Sequence, residues 1–78
     1  MPMYFFHWSQ STVDHLAEHD VTPDDFEFVV QNPESIGISR SSGRPFAVAI
    51  TDDGRELLCV YEFIDEMTIE PITGYELD

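Results

Sequence analysis

Two histidines and a glutamate near the N-terminus have the spacing of a metal-binding helix. The stretch HLAEH, residues 15–19, has the order H-x-x-E-H of the inverted zinc-protease motif, in which His15 and His19 would hold the metal and Glu18 would move a proton. A catalytic zinc also needs a third protein ligand and an open coordination position, and His7 is the only other histidine. We therefore predict a solvated helix face here, with neither a metal nor a cofactor.

The three arginines are the only Lys or Arg side chains, and all lie between residues 40 and 55. Metal-free RNA cleavage needs a base for the 2′-hydroxyl, cationic donors for the phosphorane and an acid for the leaving oxygen. Arg40, Arg44 or Arg55 would stabilise the charge. His19 and Tyr75 would transfer the protons. The competing interpretation is that each arginine pairs with one of the many carboxylates around it, as exposed arginines commonly do.

Length and charge limit the functions that this chain can have. Its 78 residues suffice for one domain, predicted over residues 1–78. Sixteen Asp and Glu against three arginines give a formal net charge of -13. Such a field repels nucleic-acid phosphates and attracts basic proteins, so RNA is disfavoured as a partner. An adaptation to high ionic strength would produce the same acidity, and both interpretations stay open.

The single cysteine and the N-terminus predict a protein of the cytoplasm. Cys59 lies in the apolar run ELLCVYEF, where we expect a buried and inert thiol. The N-terminal stretch MPMYFFHW has no basic region and only a few apolar residues before His7. It is therefore predicted to be neither a signal peptide nor a membrane span, and we expect no membrane partner.

Two short helices are predicted before residue 34. The first lies within residues 9–20, where Ser9 and Ser11 are candidate N-caps and the apolar positions 13, 16 and 17 share one face. The second begins with Thr22 as N-cap and Pro23 in its first turn, and it ends at residues 32–33. Its predicted buried stripe is Phe26, Val29 and Val30.

After Pro33 the pattern changes to short runs with a period of two, separated by turns, which predicts an antiparallel meander. The run ELLCVYEF is apolar on both faces and should be central. Pro71 cannot donate a ladder hydrogen bond, so it predicts an edge or a bulge in the last strand. The aromatic stretch MYFFHW could be a further short strand or a core plug. The expected fold is α+β, with two N-terminal helices on a three- to four-stranded antiparallel meander sheet.

A two-residue turn at Asp53-Gly54 sets the expected pairing of the central hairpin. It would place the following residues on the face that the helices cover: Phe46, Val48, Ile50, Leu57, Cys59 and Tyr61. The opposite face would then carry Ala47, Ala49, Leu58, Val60 and Ile69. That second apolar surface needs a cover, which either the N-terminal aromatics or a second protein chain would supply. A homo-oligomer is one prediction of this pattern.

Three stretches of the sequence resemble the BrnT family of bacterial toxins, within the RelE-like ribonuclease superfamily. They are WSQSTVDHLAEHDVTPDDFEFVVQNP, RSSGRPFAVAITDDGRELLCVYE and IEPITGYE. The resemblance implies a RelE-like α+β fold, a type II toxin that cleaves RNA without a metal, and a small antitoxin as partner. The family's Lys-His-Gly-Val pattern is matched by residues 18–21, which keep His19. Its Gly-Arg turn is matched by Gly54 and Arg55, and Tyr75 stands where its C-terminal Ser-Ala-Arg stretch ends.

Two functional hypotheses follow from these observations. The resemblance implies a divergent toxin whose arginines, His19 and Tyr75 still process RNA. The charge instead favours a non-catalytic acidic module that keeps the fold and binds a basic protein.

Overall fold

The computed structural model describes residues 3–77. Met1, Pro2 and Asp78 lie outside the described part, and so do both ends of the domain predicted over residues 1–78. Seven elements follow one another along the chain. They are β1 (Phe5–Phe6), α1 (Gln10–Ala17), α2 (Pro23–Gln31), β2 (Ser35–Ile38), β3 (Pro45–Ile50), β4 (Glu56–Phe63) and β5 (Thr68–Glu76). The α+β class and the two helices are confirmed.

Local capping signals define the two helices. Ser9 caps α1, where its hydroxyl accepts from the Thr12 amide at 3.3 Å. Thr22 caps α2 and Pro23 begins it, as predicted, and Thr22 and Asp25 in addition form a reciprocal capping box. Asp20 lies between the helices with φ 57, a left-handed conformation that Asp tolerates better than most residues and that turns the chain from α1 into α2.

The sheet has five strands in the order β1-β5-β4-β3-β2. Strands β2 to β5 form the predicted antiparallel meander, with β4 at its centre. The predicted count of three to four strands is too low, because β1 pairs in parallel with β5 through Phe5 and Phe6. Two paired residues are too few to show a period of two in a sequence. The register shifts next to the pairing of Tyr61 with Pro71, which agrees with the bulge, one of the two alternatives predicted from Pro71.

The predicted register of the central hairpin is wrong by one residue. Ala49 pairs with Leu57, and Ile50 with Glu56, so the loop has three residues, 52–54, instead of two. Gly54 takes a positive φ of 86 there, and the Thr51 amide donates to the Arg55 carbonyl at 2.9 Å. A one-residue change of pairing exchanges the faces of every side chain in a strand.

The helices therefore cover a different set of side chains from the predicted one. The helix-covered face consists of Ala47, Ala49, Leu57, Cys59, Tyr61 and Ile69, all buried. The alternate residues Phe46, Val48, Ile50, Leu58, Val60 and Tyr75 form the other side, called here the open face. The alanines of β3 suit this arrangement because a small side chain lets a helix approach the sheet closely.

The N-terminal aromatics add to the helix side of the core. Phe6 and Trp8 both make edge-to-face contacts with the buried Phe26, at ring-centroid distances of 6.5 and 5.5 Å. They do not supply the cover that one interpretation of the sequence gave them on the opposite face. Cys59 is fully buried, as predicted, and desolvation raises the pKa of its thiol to about 12. Among residues 3–77, no helix has the length and apolar character needed to cross a membrane.

Candidate functional site

Arg55 lies at the hairpin end of β4, where it joins three parts of the chain. Its Nη2 binds the Asp25 carboxylate of α2 at 3.0 Å, and its Nε binds Asp53 of the turn at 3.1 Å. Its Nη1 donates to the backbone carbonyl of Asp20 at 2.8 Å. The guanidinium thus holds the hairpin against the start of α2.

The charges around Arg55 stabilise one another. The Thr51 hydroxyl donates to the Asp53 carboxylate, and this contact together with Arg55 lowers the pKa of Asp53. Desolvation alone would lower the pKa of Arg55, but Asp53 and Asp25 raise it. All three nitrogens of this guanidinium have acceptors within the protein. A phosphate would have to displace carboxylates to reach it, which favours a structural role for Arg55.

An open groove beside Arg55, called here the acidic groove, has a volume of about 380 Å³. Its lining residues are Asp24, Asp25, Phe28, Thr51, Asp52 and Asp53. Four aspartates repel an anion such as RNA. Within the described residues, no group of three or more His, Cys, Asp or Glu side chains is arranged to hold a metal ion.

The other two arginines lie at the opposite end of β3. Arg44 immediately precedes the strand, and its Nε is 3.6 Å from Oε1 of Glu62 on β4. Arg40 is exposed in the turn that joins β2 to β3. Since β3 has six residues, it spans about 20 Å at 3.3 Å per residue. Arg55 is therefore separated from Arg40 and Arg44 by the length of a strand, and the three do not surround one phosphate.

The two predicted proton-transfer residues lie on different elements and have no described contact with each other. His19 is exposed just after α1, and its ring packs edge-to-face on His15 with centroids 5.3 Å apart. Tyr75 is on the open face, opposite Leu58 of β4, with 41% of its surface exposed. Exposure of both histidines was predicted. The sequence did not show that His15 Nε2 lies 2.9 Å from Thr73 Oγ1, because residues 58 positions apart carry no mutual signal.

The roles predicted for the arginines, His19 and Tyr75 do not explain the open face. Ile50 and Tyr75 are 48% and 41% exposed, and the side chains between them are half-buried. Within residues 3–77, the buried cluster that α1 and α2 form with the sheet lies on its other side, and the described helix contact on this side is that of His15 with Thr73, the partner of Val60. The alternation of large and small side chains in FAVAI indicated two apolar faces of β3. The wrong register placed the larger side chains, Phe46, Val48 and Ile50, on the face that the helices cover.

Carboxylates border the open face. Glu56 pairs with Ile50 at the hairpin end, and Glu62 pairs with Glu70 at the other end. Like charges directly opposite each other destabilise a sheet. Arg44 offsets this repulsion only in part, because its Nε, although buried, is 3.6 Å from Glu62 and makes no hydrogen bond. This end of the open face would therefore gain from a further cation.

The sequence matches no protein-family model, no curated protein and no solved structure. The resemblance to BrnT toxins thus stays a prediction, and so do the RelE-like fold and the catalytic roles of the named side chains.

Proposed function

We propose that this protein is a non-catalytic acidic binding module whose open face holds a basic amphipathic helix of a partner protein. The observation that carries the proposal is an uncovered apolar surface with carboxylates at both ends. Interfaces commonly have such an apolar centre and polar rim.

The chemistry of the partner follows from the surface. An apolar sheet face is covered in folded proteins by helices or by a second sheet, and here helices already cover the opposite face. A helix with a stripe of Leu would cover Val48, Leu58 and Val60. Lys or Arg beside that stripe would pair with Glu62 and Glu70 and relieve their repulsion. The net charge of -13 would speed association with such a partner.

The placement of the arginines favours binding over RNA cleavage. Arg55 is occupied by carboxylates, and Arg44 and Arg40 lie a strand length away from it. A phosphorane needs cationic donors that converge on one position. The open face would select its partner by basic side chains alone. A basic antitoxin would therefore be one partner of the proposed kind.

The proposal is tested with a designed helical peptide of Leu and Lys and a matched peptide of Leu and Glu. Fluorescence anisotropy should show that the Lys peptide binds and that binding weakens with salt, whereas the Glu peptide should not bind. The double substitution Glu62→Gln/Glu70→Gln should weaken binding by about tenfold, if each lost pair contributes an ordinary charged contact.

Asp24→Asn/Asp52→Asn is the matched control, because it removes the same charge from the acidic groove. Binding reduced by this pair and not by Glu62→Gln/Glu70→Gln would overturn the proposed location, and equal binding of both peptides would overturn the proposed chemistry. Purified protein should also leave RNA intact. RNA cleavage that disappears in Tyr75→Phe would replace the proposal by the ribonuclease function.

A further inference from the structure

Strand β2 has a free edge with an unusual sequence. It is the last strand of the sheet and pairs only with β3. The Ser39 amide donates to the Arg44 carbonyl, and backbone groups that point to one side recur every second residue along a strand. Ser35, Gly37 and Ser39 therefore direct their backbone groups towards β3. Ile36 and Ile38 direct theirs away from the sheet, where a further strand can pair with them. The alternation ends at Glu34, just before β2, because its amide donates to the Val48 carbonyl at 2.8 Å.

The side chains of this edge are exposed as well. Ile36 and Ile38 are 71% and 63% exposed, the most exposed of the large apolar side chains described in the meander. They lie on the same side of the sheet as Ala47, the partner of Ile36, and line an apolar groove of about 360 Å³ with Tyr4, Pro45, Tyr61 and Phe63. An exposed edge strand with an apolar side is a site for strand addition.

The sequence around β2 reads ESIGISR over residues 34–40, and it is symmetric about Gly37 in all but its end residues. Ser35 and Ile36 are mirrored by Ser39 and Ile38. The ends are Glu34 and Arg40, which carry opposite charges. Such a segment is complementary to itself when reversed, and antiparallel pairing about a two-fold axis reverses it.

We propose that two copies of this chain pair antiparallel through β2, about a two-fold axis at Gly37, to form one continuous ten-stranded sheet. In this register Ile36 of each copy lies opposite Ile38 of the other. The outward amides and carbonyls of both residues then form hydrogen-bonded pairs across the axis. The four isoleucine side chains come together over the groove and cover one another.

The charges select the same register. Glu34 precedes β2 and Arg40 lies in the turn after it, so in this register Glu34 of each copy comes beside Arg40 of the other, and two ion pairs flank the paired isoleucines. None of the described ion pairs includes Arg40, and Glu34 uses Oε2 to accept from the Ile50 amide at 3.1 Å, which leaves its other oxygen for a guanidinium. A shift of the register would separate these charges, and parallel pairing would place like charges side by side.

Gly37 is suited to the two-fold axis. A Cβ at this position would lie 2.7 Å from the ring of Phe46, its partner on β3, so the Phe46 ring already covers the glycine on the open face. Two glycines facing each other across the axis let the backbones approach without a clash. The proposed dimer leaves Val48, Leu58 and Val60 uncovered, so it is independent of the helix-binding function.

Sedimentation equilibrium at about 0.15 M ionic strength tests the dimer, because the net-charge repulsion is then screened beyond roughly 8 Å and contact pairs are kept. The wild-type mass should approach twice the 9.0 kDa of one chain. Arg40→Glu places like charges opposite each other at both ends and should raise the dimer Kd by about tenfold. Arg40→Glu combined with Glu34→Arg restores opposite charges and should restore the wild-type Kd.

Two further variants distinguish this edge from other modes of association. Ile36→Pro removes an amide that points away from β3, so it should abolish the dimer and leave the circular dichroism spectrum of the monomer unchanged. Ile50→Lys on the open face should not change the dimer Kd. A wild-type mass of one chain at millimolar concentration would overturn the proposal, as would a dimer lost in Ile50→Lys and kept in Ile36→Pro. A monomeric wild type would leave peptide binding to the open face unaffected, whereas a dimer lost in Ile50→Lys would place the second copy on that face.

Discussion

Leu57 and Leu58 are neighbours in β4, yet they belong to two surfaces that differ in burial. Leu57 is fully buried under the helices, in contact with a core that includes Phe26 and Val29. Leu58 points to the open face and is half-buried, between Val48 and Tyr75 of the adjacent strands. One sheet thus supplies both the buried core of this small domain and the open face that we propose for binding. The two faces are separated only because successive side chains of a strand point to opposite sides of the sheet.

Truncation of the two leucines should show the largest difference. Leu57→Ala leaves a cavity in a closed core and should lower the free energy of unfolding by about 2–5 kcal/mol. Leu58→Ala removes atoms from a surface that water already reaches, and should cost about 1 kcal/mol. Urea unfolding of both variants measures the difference. Equal losses would mean that the open face is covered in solution, and a concentration-dependent midpoint would then identify a second copy as the cover.

Larger side chains at two adjacent residues of β3 test the same difference between the buried face and the open face. Ala49 is 1% exposed beneath the helices, so Ala49→Leu should overpack the core and cost about 1–3 kcal/mol. Val48→Leu has open space on its side of the sheet and should change stability by less than about 0.5 kcal/mol. These two results would also decide the register, because the pairing predicted from the sequence would reverse them.

Arg55 and Arg44 extend the comparison to the two ends of the hairpin. Arg55→Ala removes contacts with Asp20, Asp25 and Asp53 on the helix side and should lower Tm by roughly 5 °C. Arg44→Ala removes one long contact with Glu62, between side chains that are 40% and 51% exposed, and should leave Tm within about 2 °C. Differential scanning calorimetry at one pH compares them. A larger loss for Arg44→Ala would show that the ion pair at the open face is the structural one.

The sequence predicted those parts of the fold that depend on local signals. Thr22, Pro23 and Asn32 define α2 because caps and imino acids act within one turn of the chain. The register was missed because TDDGRE is compatible with a two- or a three-residue loop. The contacts of Thr51 with Asp53 and Arg55 select the longer one, and they exist only in the folded hairpin.

Prediction of the site had a similar limit. The hypothesis that the arginines pair with carboxylates agrees with the contacts of Arg55 and Arg44. The partners of Arg55 include Asp25 and the Asp20 carbonyl, which are 30 and 35 residues away. No local spacing encodes such pairs. The symmetry of residues 34–40 is visible in the sequence, but its meaning depends on the observation that β2 is an edge strand.

The smallest expected effect comes from two neighbouring aspartates of the hairpin turn. Asp53 accepts from the Thr51 hydroxyl and Arg55, which lower its pKa, whereas Asp52 is exposed and takes part in none of the described hydrogen bonds or ion pairs. An unfolded aspartate titrates near 3.9. A group whose pKa is depressed by folding stabilises the protein above that value, and this contribution is lost as the pH falls through the folded pKa.

Asp53→Asn should therefore lower Tm near pH 7, and the difference from wild type should disappear as the pH falls well below 3.9. Asp52→Asn makes the same change in net charge and relieves the same repulsion, without the loss of a partner. Its Tm should be equal to or above that of wild type at pH 7. If both variants gave the same pH profile of Tm, the change in Tm would result from the net charge of -13 and not from the contacts of Asp53 with Thr51 and Arg55.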